Sequence, residues 1–247
     1  MKILVDIGNT RLKWATVQGN EYEHGIPLLH QHKKFQLELH NLWSDLKDTP
    51  KILAISCVGK YELVLLIQEV AKQLWPEIEF FIPSVTKKNL GVKNGYRQPE
   101  KLGLDRWLAL IAVREKVQMP ACIIDCGTAI TIDFIDANGQ HLGGIICPGL
   151  LLMKQSLAES TEQLPFSVRQ SLLGLANHTR GGIYSGTMYA VLGMIEKILS
   201  TQDRRGTKVF LTGGDAEMIS QELPMEHTIE PHLVLQGLLA VVNAAMD

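Results

Sequence analysis

A short motif occurs twice in the chain, and it restricts the possible folds more than any other feature of the sequence. The first copy centres on Asp6-Ile-Gly8-Asn-Thr10 and the second on Asp125-Cys-Gly127-Thr128, about half of the 247-residue chain away. Each copy reads as an apolar strand, an Asp-x-Gly turn with a hydroxyl residue, and a second strand-like run. The sequence therefore predicts two similar halves.

Glycine turns of this kind suit phosphate groups. Phosphate oxygens bind backbone N–H donors at close range, and glycine lets the backbone approach because it has no Cβ. A carboxylate at the strand end can hold a hydrated Mg²⁺. One Asp-x-Gly turn is weak evidence, since Asp and Gly are ordinary turn residues. The repetition favours two phosphate-binding turns, facing each other across a nucleotide cleft, over two plain hairpin turns.

Strands and helices alternate along both halves, which predicts an α/β fold with right-handed crossovers. The domain ranges that we expect are 1–117 and 118–247. In the first half, the apolar patterns predict strands at 2–7, 12–17, 51–58 and 79–82, and helices at 37–46, 62–74 and 102–116. In the second half, they predict strands at 121–125, 130–135 and 208–211, and helices from about 150 and over 182–199, 216–223 and 231–246.

Composition and charge argue against several classes of function. The formal net charge is −2, which gives no support for nucleic-acid binding. No apolar run reaches membrane-spanning length, and the N-terminus shows no signal-peptide pattern. The four cysteines have no CxxC spacing and indicate reduced thiols. We expect a soluble, cytoplasmic protein without a nucleic-acid or membrane partner.

The least regular stretch, residues 84–101, leads into Gly103-Leu104-Asp105-Arg106 at the start of a helix. A loop of that length inside a compact domain is usually functional or disordered. Asp105 could accept a proton from a substrate hydroxyl, and Arg106 could pair with a carboxylate or phosphate. An acidic residue in a first helical turn, followed by a surface arginine, explains the same pattern equally well.

Three further segments are ambiguous by themselves. Thr212-Gly-Gly-Asp215 could lie against a nucleotide, although a strand–helix turn with Asp215 as N-cap is the simpler explanation. Thr179 could contact a ligand or cap the following helix. His30 and His32 would share one face of a strand, but no third ligand follows at a recognisable spacing. An exposed polar strand is therefore favoured over a metal site.

In this order, the motifs resemble those of the type III pantothenate kinases, over essentially the whole chain. Asp6-Ile-Gly-Asn-Thr-Arg11 and Asp125-Cys-Gly-Thr-Ala129 are similar to the two phosphate motifs of the acetate and sugar kinase, heat-shock chaperone and actin superfamily, and Thr212-Gly-Gly214 is similar to its adenosine motif. Tyr96, then Gly103–Arg106, then Thr179 narrow the resemblance to the family. It implies two ribonuclease H-like domains with a nucleotide cleft between them.

The resemblance also implies a reaction: ATP-dependent phosphorylation of pantothenate to 4′-phosphopantothenate, the first step of coenzyme A biosynthesis. It implies Mg²⁺ with the ATP, a monovalent cation (K⁺ or NH₄⁺) at Asp125, and a homodimer with the substrate site near the interface. Asp105 is implied as the proton acceptor. The residues implied to bind ATP are Asp6, Ile7, Gly8, Asn9, Thr10, Arg11, Leu12, Lys13 and Thr128. The residues implied to bind pantothenate are Tyr96, Gly103, Leu104, Asp105, Arg106 and Thr179.

Two other functions stay open at this point. One is another small-molecule kinase of the superfamily, such as a sugar or acetate kinase, which the short chain and the Gly103–Arg106 segment disfavour. The other is a non-catalytic nucleotide-binding regulator, since a fold does not fix a function. The set of Asp6, Asp105 and Asp125 argues against a regulator, because a pure binding protein needs no general base.

Overall fold

The chain forms two compact units, each described separately below. The structure is a computed structural model that describes residues 1–19, 21–161, 164–167, 171–201 and 206–246. The first unit comprises Met1–Gln118, Asn138–His141 and His232–Asp247, and the second comprises Met119–Ala137 and Leu142–Pro231. The domain ranges 1–117 and 118–247 stay a prediction. The first compact unit differs from the predicted first domain mainly because it includes the end of the chain.

The first unit is built on a mixed sheet. Its elements up to residue 116 are β1 (Lys2–Ile7), β2 (Arg11–Gln18), β3 (Glu21–His24), β4 (Leu28–Leu29), α1 (Phe35–Ser44), β5 (Ile52–Cys57), α2 (Tyr61–Leu74), β6 (Glu79–Phe81), β7 (Lys88–Asn89), β8 (Val92–Lys93), a 3-10 turn (Pro99–Lys101) and α3 (Leu104–Lys116). The strand order is β3-β2-β1-β5-β6. Strands β1 to β3 run antiparallel, whereas β5 and β6 continue parallel to β1.

The second unit repeats this arrangement. Its elements are β9 (Ala121–Cys126), β10 (Ala129–Ile135), β11 (His141–Pro148), α4 (Leu150–Ser160), α5 (Thr179–Thr201), β12 (Lys208–Thr212), α6 (Ala216–Ser220) and β13 (Thr228–Ile229). The strand order, β11-β10-β9-β12-β13, matches that of the first sheet position by position. The last helix, α7 (Leu233–Met246), packs against α3, β1 and β5 of the first unit.

The side chains of β1 point alternately into the core and to the other face of the sheet. Ile3, Val5 and Ile7 point into an apolar cluster that also holds Trp43 of α1 and Ile67 of α2. Successive side chains of a strand point to opposite faces, so Asp6 lies on the other face of the sheet. The core of the second unit is built in the same way, from alternate residues of β9 and β10 packed against α5. Both cores therefore fix the strand ends that carry the Asp-x-Gly turns.

Most of the predicted helices and strands are confirmed to within a few residues. The apolar patterns gave no range for strands β3, β11 and β13, and two other segments differ from the expectation. The stretch from residue 84 contains a β7–β8 hairpin, whose turn residues Leu90 and Gly91 adopt the positive φ angles that a two-residue hairpin turn needs. Strand β11 runs unbroken through two glycines, which an edge strand tolerates. The placement of His30 and His32 on a strand is wrong, because β4 ends at Leu29.

Two general properties follow from the described residues. No helix among them is both long and apolar enough to cross a membrane. All four cysteines are free thiols, and two of them, Cys122 and Cys126, are buried in the second unit.

Candidate active site

The first Asp-x-Gly turn joins β1 to β2 in the first unit. The backbone N–H of Gly8 donates to the carbonyl of Arg11 at 3.1 Å, which closes the turn. The ring Nε2 of His30 lies 2.9 Å from the Gly8 carbonyl oxygen and supports the turn from the segment after β4. Asn9 and Arg11 are exposed, whereas the side chains of Ile7 and Leu12 are buried in the core. Only the backbone of these two apolar residues can therefore serve a ligand.

Two of the predicted ATP residues lie opposite each other in the sheet. Asp6 of β1 pairs in register with Lys13 of β2, so that a carboxylate and an ammonium group share one face. Asp6 is buried and Lys13 is half-buried. Burial raises the pKa of the nearby Cys57 thiol, and the charge of Asp6 adds to the increase. The face beside the first turn therefore combines one anionic and one cationic group.

The second Asp-x-Gly turn joins β9 to β10 in the second unit. The N–H of Gly127 donates to the carbonyl of Ala129 at 3.2 Å. The N–H of Gly149, the residue before α4, donates to the carbonyl of Thr128 at 3.0 Å. A Cβ on Gly149 would overlap the carbonyl oxygens of Gly127 and Thr128. The start of α4 therefore packs directly on the backbone of this turn.

The Thr212-Gly-Gly-Asp215 segment joins the same site. Thr212 pairs in register with Asp125, and the N–H of Asp215 donates to the carbonyl of Cys126 at 2.9 Å. Gly213 has a φ of +95°, and a Cβ there would overlap the Asp125 carboxylate. Asp215 precedes α6, but its side chain makes no capping hydrogen bond. The glycine segments that the sequence showed separately thus meet around Asp125.

A buried lysine that the sequence analysis did not single out lies in this unit. Lys154 of α4 is buried, and its Nζ lies 5.2 Å from the centre of the Tyr184 ring. Burial lowers the pKa of Lys154, and the carboxylate of Asp215 partly opposes that shift. Burial also raises the pKa of the Cys126 thiol, with the charges of Asp125 and Asp215 adding to it, so that this thiol stays neutral. The sequence signal that could have indicated this buried lysine is a single charged residue after four apolar ones at the start of α4.

The predicted pantothenate residues of the first unit lie together. Gly103 is the residue before α3, and Leu104, Asp105 and Arg106 form its first turn. Arg106 is buried, and its Nη1 donates to the Tyr96 hydroxyl at 2.7 Å. Oδ1 of Asp105 accepts the backbone N–H of Arg106 at 2.8 Å. An oriented carboxylate therefore stands beside a buried guanidinium.

Thr179, the remaining predicted pantothenate residue, belongs to the second unit. It is the first residue of α5, it is exposed, and it lines a groove of about 620 Å³ between α4 and α5. The groove is mainly apolar, with Leu152 and Ile183 among its walls. Ser185, on the same helix, is buried and accepts the N–H of Gly174, so its hydroxyl serves the fold.

The carboxylates of these turns suit a metal ion for which the protein supplies only some of the ligands. Among the described residues, no group of three or more His, Cys, Asp or Glu side chains is arranged to bind a metal. Mg²⁺ in nucleotide enzymes is usually held by one or two carboxylates together with phosphates and water. The half-buried Asp125 carboxylate, against which Gly127 and Gly213 pack closely, fits a hard cation by its oxygen chemistry.

Comparison with solved structures defines the class of protein. A conserved Baf family protein from Campylobacter jejuni superimposes with a TM-score of 0.63 at 20% identity, covering 99% of this chain and 98% of that chain. The ethanolamine utilization protein EutJ from Carboxydothermus hydrogenoformans gives a TM-score of 0.52 at 13% identity, over 96% and 88% of the two chains. The fold is the two-domain, ribonuclease H-like fold of actin-like ATPases and sugar kinases.

Sequence comparison then gives the family. The sequence profile of the type III pantothenate kinases matches residues 2–201. Type III pantothenate kinases from Dichelobacter nodosus and Nitrosococcus oceani are 34% and 33% identical to this chain, over 97% and 98% of its length and 97% and 94% of theirs. The chain belongs to the type III pantothenate kinase family. Enzymes of this family are kinases that phosphorylate pantothenate in the first step of coenzyme A biosynthesis.

Proposed function

We propose that this chain transfers the γ-phosphoryl group of ATP to the primary hydroxyl of pantothenate, with Asp105 as the proton acceptor. The observation that carries the proposal is the arrangement at the start of α3. There, the Asp105 carboxylate is oriented by the backbone of Arg106, and Arg106 binds the Tyr96 hydroxyl. Three residues that the family resemblance assigns to pantothenate are therefore neighbours in the structure.

Asp105 has the position and chemistry of a general base. It lies in the first turn of a 13-residue helix, where the helix dipole stabilises a negative charge. The hydrogen bond from the N–H of Arg106 fixes the direction of the carboxylate. When the hydroxyl oxygen of pantothenate forms its bond to phosphorus, Asp105 takes the hydroxyl proton and ADP leaves.

Arg106 is suited to bind the carboxylate of pantothenate. A guanidinium group can donate two parallel hydrogen bonds to a carboxylate, and burial strengthens the pairing. Arg106 is 6% exposed, and its contact with Tyr96 fixes its Nη1. Gly103, Leu104 and Thr179 complete the proposed pantothenate set.

The two glycine turns are the proposed ATP phosphate sites. The turn within residues 6–13 would supply backbone N–H donors other than that of Gly8, the hydroxyl of Thr128 a further donor, and Lys13 a positive charge beside Asp6. Asp6 would be the carboxylate of the first turn that holds Mg²⁺, directly or through water, and the ion would neutralise phosphate charge. Asp125 holds K⁺ or NH₄⁺ in the proposal, because its carboxylate lies at the meeting point of the second turn and Gly213.

The free thiols support a reducing compartment, and we place the enzyme in the cytoplasm. Pantothenate and ATP are its proposed partners, together with a second copy of the chain. The second copy is supported by exposed apolar side chains on three elements of the second unit, namely Ile146 of β11, Leu152 of α4 and Tyr189 of α5.

The homodimer predicts a mass in solution of about twice the 27.5 kDa of one chain. Ile146→Glu places a charge on an exposed apolar position of β11 and should shift the mass measured by light scattering towards that of one chain. Leu65→Glu, at an exposed apolar residue of α2, is the matched control and should leave the mass unchanged. A monomeric wild-type protein would contradict the dimer.

The reaction itself is tested by Asp105→Asn. This change keeps the size of the side chain but removes the proton acceptor, so we expect kcat to fall by roughly 10²–10⁴-fold while ATP binding is retained. The measurement is ADP release from ATP and Mg²⁺, with and without pantothenate. Asp45→Asn, the same change at an exposed residue after α1, is the matched control.

Two outcomes would contradict parts of the proposal. Near-normal turnover of the Asp105→Asn variant would remove Asp105 as the base. Nucleotide binding by the wild-type protein without pantothenate-dependent ADP release would leave the fold unchanged but would move the function to another acceptor or to regulation. A panel of sugars and acetate would then separate those two cases.

A further inference from the structure

A short turn from the middle of the chain packs against the proposed pantothenate loop. Residues Asn138–His141, which end the β10–β11 connection and include the first residue of β11, group with the first unit. The N–H of Lys93 donates to the carbonyl of Gly139 at 2.7 Å. Nε2 of Gln140 donates to the carbonyls of His141 at 3.0 Å and of Lys93 at 3.4 Å. The segment that leads to Tyr96 is therefore attached to this turn by one backbone–backbone hydrogen bond and by one from the Gln140 side chain.

His141 extends that attachment to the site itself. It is 1% exposed, and its ring stacks on the Tyr96 ring with centroids 5.9 Å apart and planes within 16° of parallel. Tyr96 in turn accepts a hydrogen bond from Nη1 of Arg106, whose guanidinium carbon lies 5.5 Å from the centre of the Tyr96 ring. The tyrosine ring thus contacts a buried imidazole and a buried guanidinium.

We propose that His141 is a positioning residue for pantothenate: its ring holds Tyr96, and through Tyr96 the guanidinium of Arg106, in the geometry that binds the substrate. This inference rests on the proposed function, because it takes Tyr96 and Arg106 as pantothenate-binding residues. His141 makes no contact of its own with the reacting groups in this proposal.

The physical reason is the cost of ordering a half-buried side chain when substrate binds. Tyr96 is half-buried and lies between two short elements, β8 and the 3-10 turn. A side chain that must be ordered when substrate binds costs affinity, and a ring already held by stacking avoids much of that cost. Aromatic stacking also contributes energy beyond the area that it buries. Loss of the His141 ring should therefore weaken pantothenate binding without touching Asp105.

The test compares His141→Ala with His141→Phe in steady-state ADP release. We expect the alanine variant to raise KM for pantothenate by roughly three- to tenfold, with kcat and KM for ATP within about twofold of wild type. The phenylalanine variant keeps a ring against Tyr96, so it should restore most of the pantothenate affinity. A general packing defect would instead lower kcat and raise both KM values.

His24→Ala is the matched control, because the His24 ring also stacks on another ring of the first unit, that of His232, but has no place in the proposed site. It should leave KM for pantothenate unchanged. An unchanged KM for pantothenate in the folded His141→Ala variant would overturn the inference, as would a His141→Phe variant as impaired as His141→Ala. Wild-type protein without pantothenate-dependent turnover would contradict the proposed function, and the positioning role with it.

Discussion

The two Asp-x-Gly turns occupy equivalent places in two sheets of the same strand order, yet their surroundings differ. The first turn is closed by its own backbone, supported by His30, and otherwise open, with Asn9 and Arg11 exposed. The second turn is packed on two sides by remote backbone, at Gly149 and Gly213. A similar motif is thus supported mainly by a remote side chain in one unit and packed by remote backbone in the other.

This difference shows that the motif determines the shape of the local turn but not the surroundings of its carboxylate. At the first turn, the carboxylate of Asp6 is buried opposite Lys13, so that one negative and one positive residue are neighbours in the sheet. At the second turn, Asp125 is less buried and is flanked by glycines. Asp125 is therefore the more accessible of the two carboxylates.

The largest expected effect comes from removing that carboxylate. Asp125→Ala should lower the rate of ADP release by roughly a hundredfold or more, because a charged group of the proposed phosphate and cation site is lost. The residual rate should also be the same in K⁺ and in Na⁺ buffer. Both quantities are obtained from ADP release at saturating ATP and pantothenate, with the potassium salt exchanged for the sodium salt.

Asp6→Ala is the matched variant in the first turn. It should also lose activity, but the ratio of its residual rates in K⁺ and Na⁺ should stay that of the wild type, because Asp6 has no part in the cation site. A wild-type K⁺ response in Asp125→Ala would place the monovalent cation elsewhere. Equal loss of the K⁺ response in both variants would remove the distinction between the turns.

The sequence predicted the fold well because its strongest patterns are local. Apolar runs such as 121–125 and the turn residues after them determine strands and turns within a few neighbours. The hairpin at Lys88–Lys93 was missed because its strands are two residues each, too short for an alternating pattern. The grouping of α7 with the first unit depends on contacts between distant parts of the chain, which no local pattern encodes.

Site residues could be predicted where a motif repeats in the sequence. They could not be predicted where residues far apart in sequence come into contact only in the folded chain. Asp125 and Gly213 belong to separate motifs of the sequence. They come into contact because strand β12, which precedes Gly213, pairs with strand β9, which carries Asp125. His30 and His141 were not predicted as supports because each acts through a single contact with a residue remote in sequence, Gly8 and Tyr96 respectively. Such supports follow from packing, which the one-dimensional pattern does not contain.

Substituting one glycine tests how far the second turn depends on remote backbone. Gly213→Ala forces a Cβ-bearing residue to a φ of +95° and pushes its side chain into the Asp125 carboxylate and the Cys126 backbone. We expect the Tm to fall by roughly 5–10 °C, since strain of this kind costs a few kcal/mol. Thermal unfolding followed by circular dichroism measures the change.

Gly8→Ala is the matched substitution in the open turn, with a smaller expected effect on stability. The nearest atom to a Cβ there is the Arg11 carbonyl oxygen at 3.5 Å, an ordinary contact, so the Tm should fall by less than about 3 °C. KM for ATP should nevertheless rise, because the added methyl group keeps phosphate away from the backbone N–H. A Tm loss as large as that of Gly213→Ala would show that the first turn is as constrained by its surroundings as the second.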